Sequence, residues 1–354
     1  MGTGDFTIFN INDGYLEAIL RGYRAAILRS PDYNNLMQCE NLEDMKMHLS
    51  STEYGDFLQN ESVVTTAILN QRCLDKLVRN FTYLRAHAAE PLATFLDYIT
   101  YGYMIDNIML LITGALHERD ISELIAKCHP LGMFENIGAL SDKNLSELYN
   151  TVIVDTPLAP YFAKCLSEED LDEMNSSVEV EKVRCTLFKA YLEDFYAFSQ
   201  RLGHDTAEVM GHLLKIEADR RAINITLHSF GSELDKEDRK KLYPDFGYLN
   251  PEGLDRLGRA EDAEQVKAAM EFYADYRDIF AKAGYENKSI EDCFFEHEVR
   301  TNVLSFEQQF HYGIFFSYIK LKEQEIRNIV WIAECIAQDQ KEKVNQQYIS
   351  IFEK

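Results

Sequence analysis

Between Glu217 and His228 the chain gathers groups from which acid–base or metal chemistry can be built: Glu217, Asp219, Arg221, Asn224 and His228. On a helical wheel of about 100° per residue, Glu217, Arg221, Asn224 and His228 share one narrow stripe. Leu213, Leu214, Ile216, Ile223, Ile225 and Leu227 flank it. A metalloenzyme would use Glu217, Asp219 and His228 as ligands. Glu217 and Arg221, four apart in acid-first order, are equally suited to an ion pair along the helix. The competing reading is structural: a hydrogen-bonded seam inside a core, fixing how neighbouring helices register.

The element that carries this stripe recurs. Asn224-Ile225 has counterparts in Asn107-Ile108, within Thr100–Ile112, and Asn328-Ile329, within Leu321–Ile332. The intervals are 117 and 104 residues. Asn is a poor helix-interior residue, and a buried one left unpaired costs roughly 1–3 kcal/mol. Three copies point to a repeated structural unit. Thr100 shares the stripe with Asn107 in the first copy, and Glu325 with Asn328 in the last. The predicted structural seam is therefore Asn107, Glu217, Arg221, Asn224, Glu325 and Asn328. The three asparagines are expected in equivalent buried positions, each with a hydrogen-bond partner. The changing neighbours of the asparagine suit packing better than catalysis.

The rest of the chain supports helix-pair units. Leu16, Ile19, Leu20, Tyr23, Ile27 and Leu28 recur at helical spacing behind an Asn12-Asp13 cap, with Ser30-Pro31 as the predicted end. A short helix is predicted from Asn41, and a long one from Val63 to about Glu90, where Pro91 intervenes. The first Asn-Ile helix then runs to about Leu116, followed by the turn His129-Pro130-Leu131-Gly132 and Leu140. The second unit repeats the order: Val178 to about Leu202, a joint at Gly203-His204-Asp205, a helix to Phe230, then Tyr243-Pro244-Asp245-Phe246-Gly247 and Leu254. Pro130 to Leu140 and Pro244 to Leu254 both span 10 residues. The third unit has a predicted helix from about Asp262 to Ala283, a Ser289-capped helix, and a last helix from about Tyr312 to Ala337. No run of period-two alternation bounded by turns is found. The expected fold is all-α: a single domain, 1–354, of three pseudo-equivalent units at about 1–150, 151–260 and 261–354.

Composition excludes several function classes. With 36 basic and 59 acidic residues the formal charge is −23, which argues against a nucleic-acid partner and against docking on anionic lipid through a basic patch. The seven cysteines are scattered and form no Cys-x-x-Cys, so reduced thiols are expected. The most membrane-like run, Leu92–Leu116, carries Asp97, Asp106 and Asn107 and reads as a buried core helix. Any membrane association is then expected through partner subunits. There is no phosphate-binding loop, no dinucleotide fingerprint and no nucleophile elbow. No catalytic, cofactor-binding or metal-binding residue is assigned.

Four stretches carry a family resemblance across essentially the whole chain. They are Gly14-Tyr-Leu-Glu-Ala-Ile-Leu-Arg-Gly-Tyr23, Leu116-His-Glu-Arg-Asp-Ile-Ser-Glu-Leu124, His129-Pro-Leu-Gly-Met-Phe134 and Lys322-Glu-Gln-Glu-Ile-Arg-Asn-Ile329. They resemble the rotary-ATPase family that comprises subunit d of vacuolar-type proton ATPases and its counterparts in the archaeal and bacterial enzymes. The resemblance implies three helical units arranged as a funnel and a role without catalysis. It also implies a proteolipid rotor ring and central-stalk subunits as partners, at the cytoplasmic face of vacuolar, lysosomal and endosomal membranes. The alternative is a helical-repeat scaffold unrelated to a pump.

Overall fold

Side-chain caps mark several helix starts, and the computed structural model uses them. Asn41 accepts from the Asp44 N–H before Leu42–Leu49, and Thr65 from the Ile68 N–H before Thr66–His87. Ser289 and Asp292 form a reciprocal capping box before Ile290–Ser305. The structure describes residues 3–135, 137, 156–165, 177–283 and 288–352. Among them the regular structure is all helix, with no strand. Leu140 and the boundary near 150/151 lie outside the described residues.

Local readings change in three places. Ser30-Pro31 opens a helix, Ser30–Gln38, instead of closing one, because proline at the first turn gives up only an N–H that has no partner there. Asp13 caps nothing; it is buried and accepts a hydrogen bond from the Tyr312 hydroxyl at 2.9 Å. The stretch from Asp262 is two helices, Ala263–Met270 and Ala274–Lys282. Their buried residues run Val266, Ala269, Met270 and then Tyr276, Ile279, Phe280. The six-residue step from 270 to 276 breaks the three-or-four rhythm of one helical face.

Three long helices organise the chain: Leu92–Leu116, His204–Ser229 and Gly313–Ala337, of 25, 26 and 25 residues. Each follows another long helix: Thr66–His87, Ser177–Leu202 and Ile290–Ser305. The Leu92–Leu116 helix is long and apolar enough to cross a membrane, with mean hydropathy 1.3, and half of that apolar window is buried inside the protein. The residues pack as two compact units.

The first unit holds residues 1–96, 204–209 and 273–354. Its centre is the Gly313–Ala337 helix, buried at 18 of its 25 positions. Packed on it are Thr66–His87, Ile290–Ser305, Gly14–Ala25, Ser30–Gln38, Leu42–Leu49 and Val344–Gln347. A helix surrounded in this way shows no single apolar stripe. The second unit holds residues 97–203 and 210–272. Its core includes Phe162, Leu187, Leu192, Phe195, Leu214, Ile223, Ile105 and Ile108. Tyr98 stacks on Phe195 and Phe198 at 5.2 and 4.8 Å. The hydroxyls of Tyr98 and Tyr161 both donate to Asp194 Oδ2, at 2.9 and 2.7 Å.

In the first unit the joint between Ile290–Ser305 and Gly313–Ala337 is tightly held. Arg21, fixed by Glu17, donates to the carbonyls of Phe306 at 3.0 Å and Gln308 at 2.7 Å. Phe310 sits at φ 64°, a conformation costing an L-residue about 1–2 kcal/mol, and its ring meets Phe9 edge-on. His311 is fully buried. Its Nε2 donates to the Ser305 carbonyl at 3.1 Å, and its Nδ1 has no partner among the described residues.

Burial draws the His311 pKa below its usual 6.5; Arg21 adds to this, while the Ser305 carbonyl, Glu17 and Asp205 oppose it. Between that lowered value and 6.5 the unfolded chain binds more protons than the folded one, so stability falls as pH drops below 6.5. Asp13 works oppositely, because burial raises its pKa against the pull of the Tyr312 hydroxyl. The comparison with His311→Gln, which keeps the donor to Ser305, isolates the imidazole. Urea-unfolding midpoints between pH 5 and 7.5 are expected to fall more steeply for the parent than for the variant; parallel profiles refute the assignment.

Candidate functional site

Each of the three long helices buries one polar side chain that grips the backbone of the segment returning after it. Asn107 Nδ2 donates to the His129 carbonyl at 2.9 Å, and its Oδ1 accepts the His129 N–H at 2.7 Å. Asn328 does the same to Ile349, at 2.7 and 3.2 Å. In the second helix the residue is Asp219. Its two oxygens accept the N–H groups of Tyr248 and Leu249, at 2.8 and 3.2 Å. Asn107, Asp219 and Asn328 are each the sixteenth residue of their helix. All three are at most 2% exposed. The chemistry follows the residue: an amide offers one donor and one acceptor, so it pairs with one residue's C=O and N–H; a carboxylate only accepts, so it takes two successive N–H groups.

Glycine lets the returning backbone come this close. At Gly132 a Cβ would run into the Tyr103 backbone and sit 2.7 Å from Asn107 Nδ2. At Gly247, φ is 129° and a Cβ would collide with the Asp219 carboxylate. Both turns singled out in the sequence thus contain a glycine that rides over the gripping side chain.

The seam residues fare differently. Asn107 and Asn328 are pinning residues. Asn224 is not: it is half-buried and makes no side-chain hydrogen bond among the described residues, and Asp219 takes the equivalent place. Glu217 pairs with Arg220 at 2.8 Å and with Arg221 at 2.7 Å, and Arg221 lies 3.5 Å over the Phe188 ring. His228 is exposed. The ligand set Glu217, Asp219 and His228 is not assembled, because its members face arginines, backbone amides and solvent. Among the described residues no group of three or more His, Cys, Asp or Glu is placed to hold a metal ion.

Glu325 is the centre of a buried ion cluster in the first unit. Its carboxylate accepts the Leu28 N–H and the Tyr54 hydroxyl, both at 2.6 Å, and pairs with Lys322. Lys322, itself fully buried, also pairs with Glu53, which Lys76 approaches to 3.5 Å. Burial alone would lower the Lys322 pKa; Glu325, Tyr318 and Glu53 outweigh it and hold the ammonium above its usual value. Two ammonium and two carboxylate groups balance. Sequence reasoning found Glu325 by its stripe but not Lys322, Glu53, Lys76 or Tyr54 as its partners. Three of those come from segments some 250 or more residues earlier, and no spacing rule links them.

Comparison with known proteins gives a consistent result. The family described as ATP synthase (C/AC39) subunit matches residues 16–347. V-type proton ATPase subunit d of Dictyostelium discoideum is 58% identical over 352 residues, 99% of this chain and 98% of that protein. Probable V-type proton ATPase subunit d of Oryza sativa is 56% identical over 347 residues, 97% and 98%. V-type proton ATPase subunit d of Saccharomyces cerevisiae is 45% identical over 350 residues, 97% and 99%.

Two sets of substitutions test the geometry. Asp219→Asn turns an amide donor toward an N–H and is expected to cost roughly 1–3 kcal/mol; Gly247→Ala, strained and colliding, should cost about as much. Urea unfolding measures both, with faster proteolysis around 244–249 as the local readout; an unchanged midpoint for Asp219→Asn is the refuting result. In the ion cluster, Glu325→Met leaves Lys322 and Lys76 to share the single carboxylate of Glu53 and is expected to cost about 3–5 kcal/mol. Adding Lys322→Met should recover part of that loss, though not all, because Leu28 N–H and Tyr54 still lack their acceptor. Additive losses would deny the pairing.

Proposed function

The chain belongs to the ATP synthase (C/AC39) subunit family, and on that premise we propose that it is a non-catalytic rotor adaptor of a vacuolar-type proton pump. It is a subunit of an ATPase of this type and associates with the membranes that carry the pump. In this reading it links the central stalk of the ATP-hydrolysing head to the proteolipid ring of the membrane sector. Rotation driven by hydrolysis thereby moves protons and acidifies the compartment. The protein works at the cytoplasmic face of vacuolar, lysosomal or endosomal membranes and is held there by its partner subunits. The observation that carries the reading is the near full-length match to proteins named V-type proton ATPase subunit d.

The physical features support the same reading. A torque coupler has to resist twisting, and long helices whose returning segments are gripped by buried polar side chains are suited to that. The chain is proposed to be one domain of three units, at about 1–150, 151–260 and 261–354, each carrying one gripping residue. In this proposal Asn107, Asp219 and Asn328 stiffen the units, as do the Glu217–Arg221 and Glu325 clusters. The net charge of −23 suits a basic stalk tip.

Deletion of the gene in cells that carry the pump tests the reading. The soluble head is expected to retain ATP hydrolysis, while membrane vesicles lose ATP-dependent acidification. Re-expression of the chain should restore it. Normal acidification without the chain would overturn the proposal.

A further inference from the structure

The helix His204–Ser229 begins inside the first unit, to which its residues 204–209 belong. Two contacts fasten them to the joint around His311. The Thr206 hydroxyl accepts the Tyr312 N–H at 3.0 Å. Val209 packs where Gly313 lacks a side chain, its Cγ1 only 2.7 Å from the place a Cβ would take. That same place lies 3.0 Å from His311 Nδ1. The ring nitrogen that bears no proton therefore has a bare Cα and a valine side chain beside it. It is closed to solvent and has no hydrogen-bond partner among the described residues. Charged groups act on the ring from two segments: Glu17 and Arg21 of Gly14–Ala25, and Asp205 of His204–Ser229. Arg21 is committed to Glu17 and to the carbonyls of Phe306 and Gln308. Asp13, bonded to the Tyr312 hydroxyl, titrates the other way: burial raises its pKa, so its protonation favours the closed joint.

A proton added at Nδ1 makes both ring nitrogens donors. Nε2–H already has the Ser305 carbonyl at 3.1 Å. The new N–H would be shut in beside carbon, and the new charge would meet Arg21. A buried donor without an acceptor and a buried like charge both cost more than the joint's few contacts return. Opening the joint gives that N–H to water and lets Phe310 leave φ 64°. We propose that His311 is a pH-sensitive latch: a proton on Nδ1 opens the 306–313 joint and frees residues 204–209 from it, while the rest of the first unit stays folded. On the functional reading above, the coupler loses stiffness when the surrounding medium acidifies. That consequence rests on that reading, whereas the latch is tested on the chain alone, so either can fail without the other.

The test is hydrogen exchange of the full chain, read by mass spectrometry on peptides covering 204–209 and 306–313, with Thr66–His87 as the reference. An open joint titrates at the ordinary histidine value of about 6.5 and the closed one resists the proton, so opening should grow about tenfold from pH 7.5 to 5.5. Protection, corrected for the intrinsic pH dependence of exchange, is expected to fall by that factor in both peptides and to hold in the reference helix. His311→Gln keeps a donor for Ser305 but takes no proton, and should show no such fall. No fall in the parent, or an equal fall in the variant, overturns the proposal. So does an equal loss in Thr66–His87, which would mean global unfolding. A second measurement needs no variant: nitrogen-15 resonances of the labelled imidazole report its protonation. The change of His311 to the cation is expected to accompany the loss of protection. A ring that takes up the proton while the joint stays protected overturns the latch.

Discussion

A buried polar side chain on a helix must find partners that its own helix cannot supply, and in this protein it finds them on the returning backbone. The helix's own amides are already committed to the i→i−4 ladder, so Asn107, Asp219 and Asn328 bind segments 21 to 30 residues later in the chain. Each grip contributes two hydrogen bonds, of modest net value when made and considerable cost when one partner is lost. That asymmetry makes the grips specific. An alternative path for the returning segment would strand the side chain in an apolar core. The glycines at 132 and 247 follow from the same constraint, because the backbone has to pass within contact of the gripping group.

The ion cluster around Glu325 shows the same logic with charges. Taking two carboxylates and two ammonium groups out of water is costly, and their attraction offsets that cost only when the geometry is good and the remaining lone pairs are filled. Leu28 N–H and Tyr54 fill them. The cluster and its surroundings draw three early segments onto the central helix of the first unit: Leu28, Glu53-Tyr54 and Thr66–His87, the last through Lys76 on Glu53 and through Asn80 on Tyr318. Apolar packing alone would hold these segments less selectively, since hydrophobic burial has no direction.

Family membership and physical reading meet at the level of role. Of the polar residues that first invited a catalytic interpretation, Asp219 is engaged by backbone amides and Glu217 by Arg220 and Arg221, and their chemistry is that of holding; His228 faces solvent. Stiffness of this kind is a mechanical property, and it belongs with the adaptor role proposed for the chain.

Much of this was legible in the sequence. Apolar periodicity gave the helical class, the caps at Asn41 and Ser289 gave helix starts, and four short stretches gave the family. The Asn-Ile pairs identified two of the three gripping residues. The third was missed because Asn224 and Asp219 stand five residues apart on one helix, about 140° round its axis, and both lie among apolar neighbours. One clue was available: Asp219 lies 112 residues after Asn107 and 109 before Asn328, more even than the intervals measured through Asn224. Periodicity determines which residues share a face. It does not determine which face meets the returning chain. That partner is backbone N–H and C=O, the same at almost every residue, so the sequence carries no mark of it and only the tertiary structure selects Asp219.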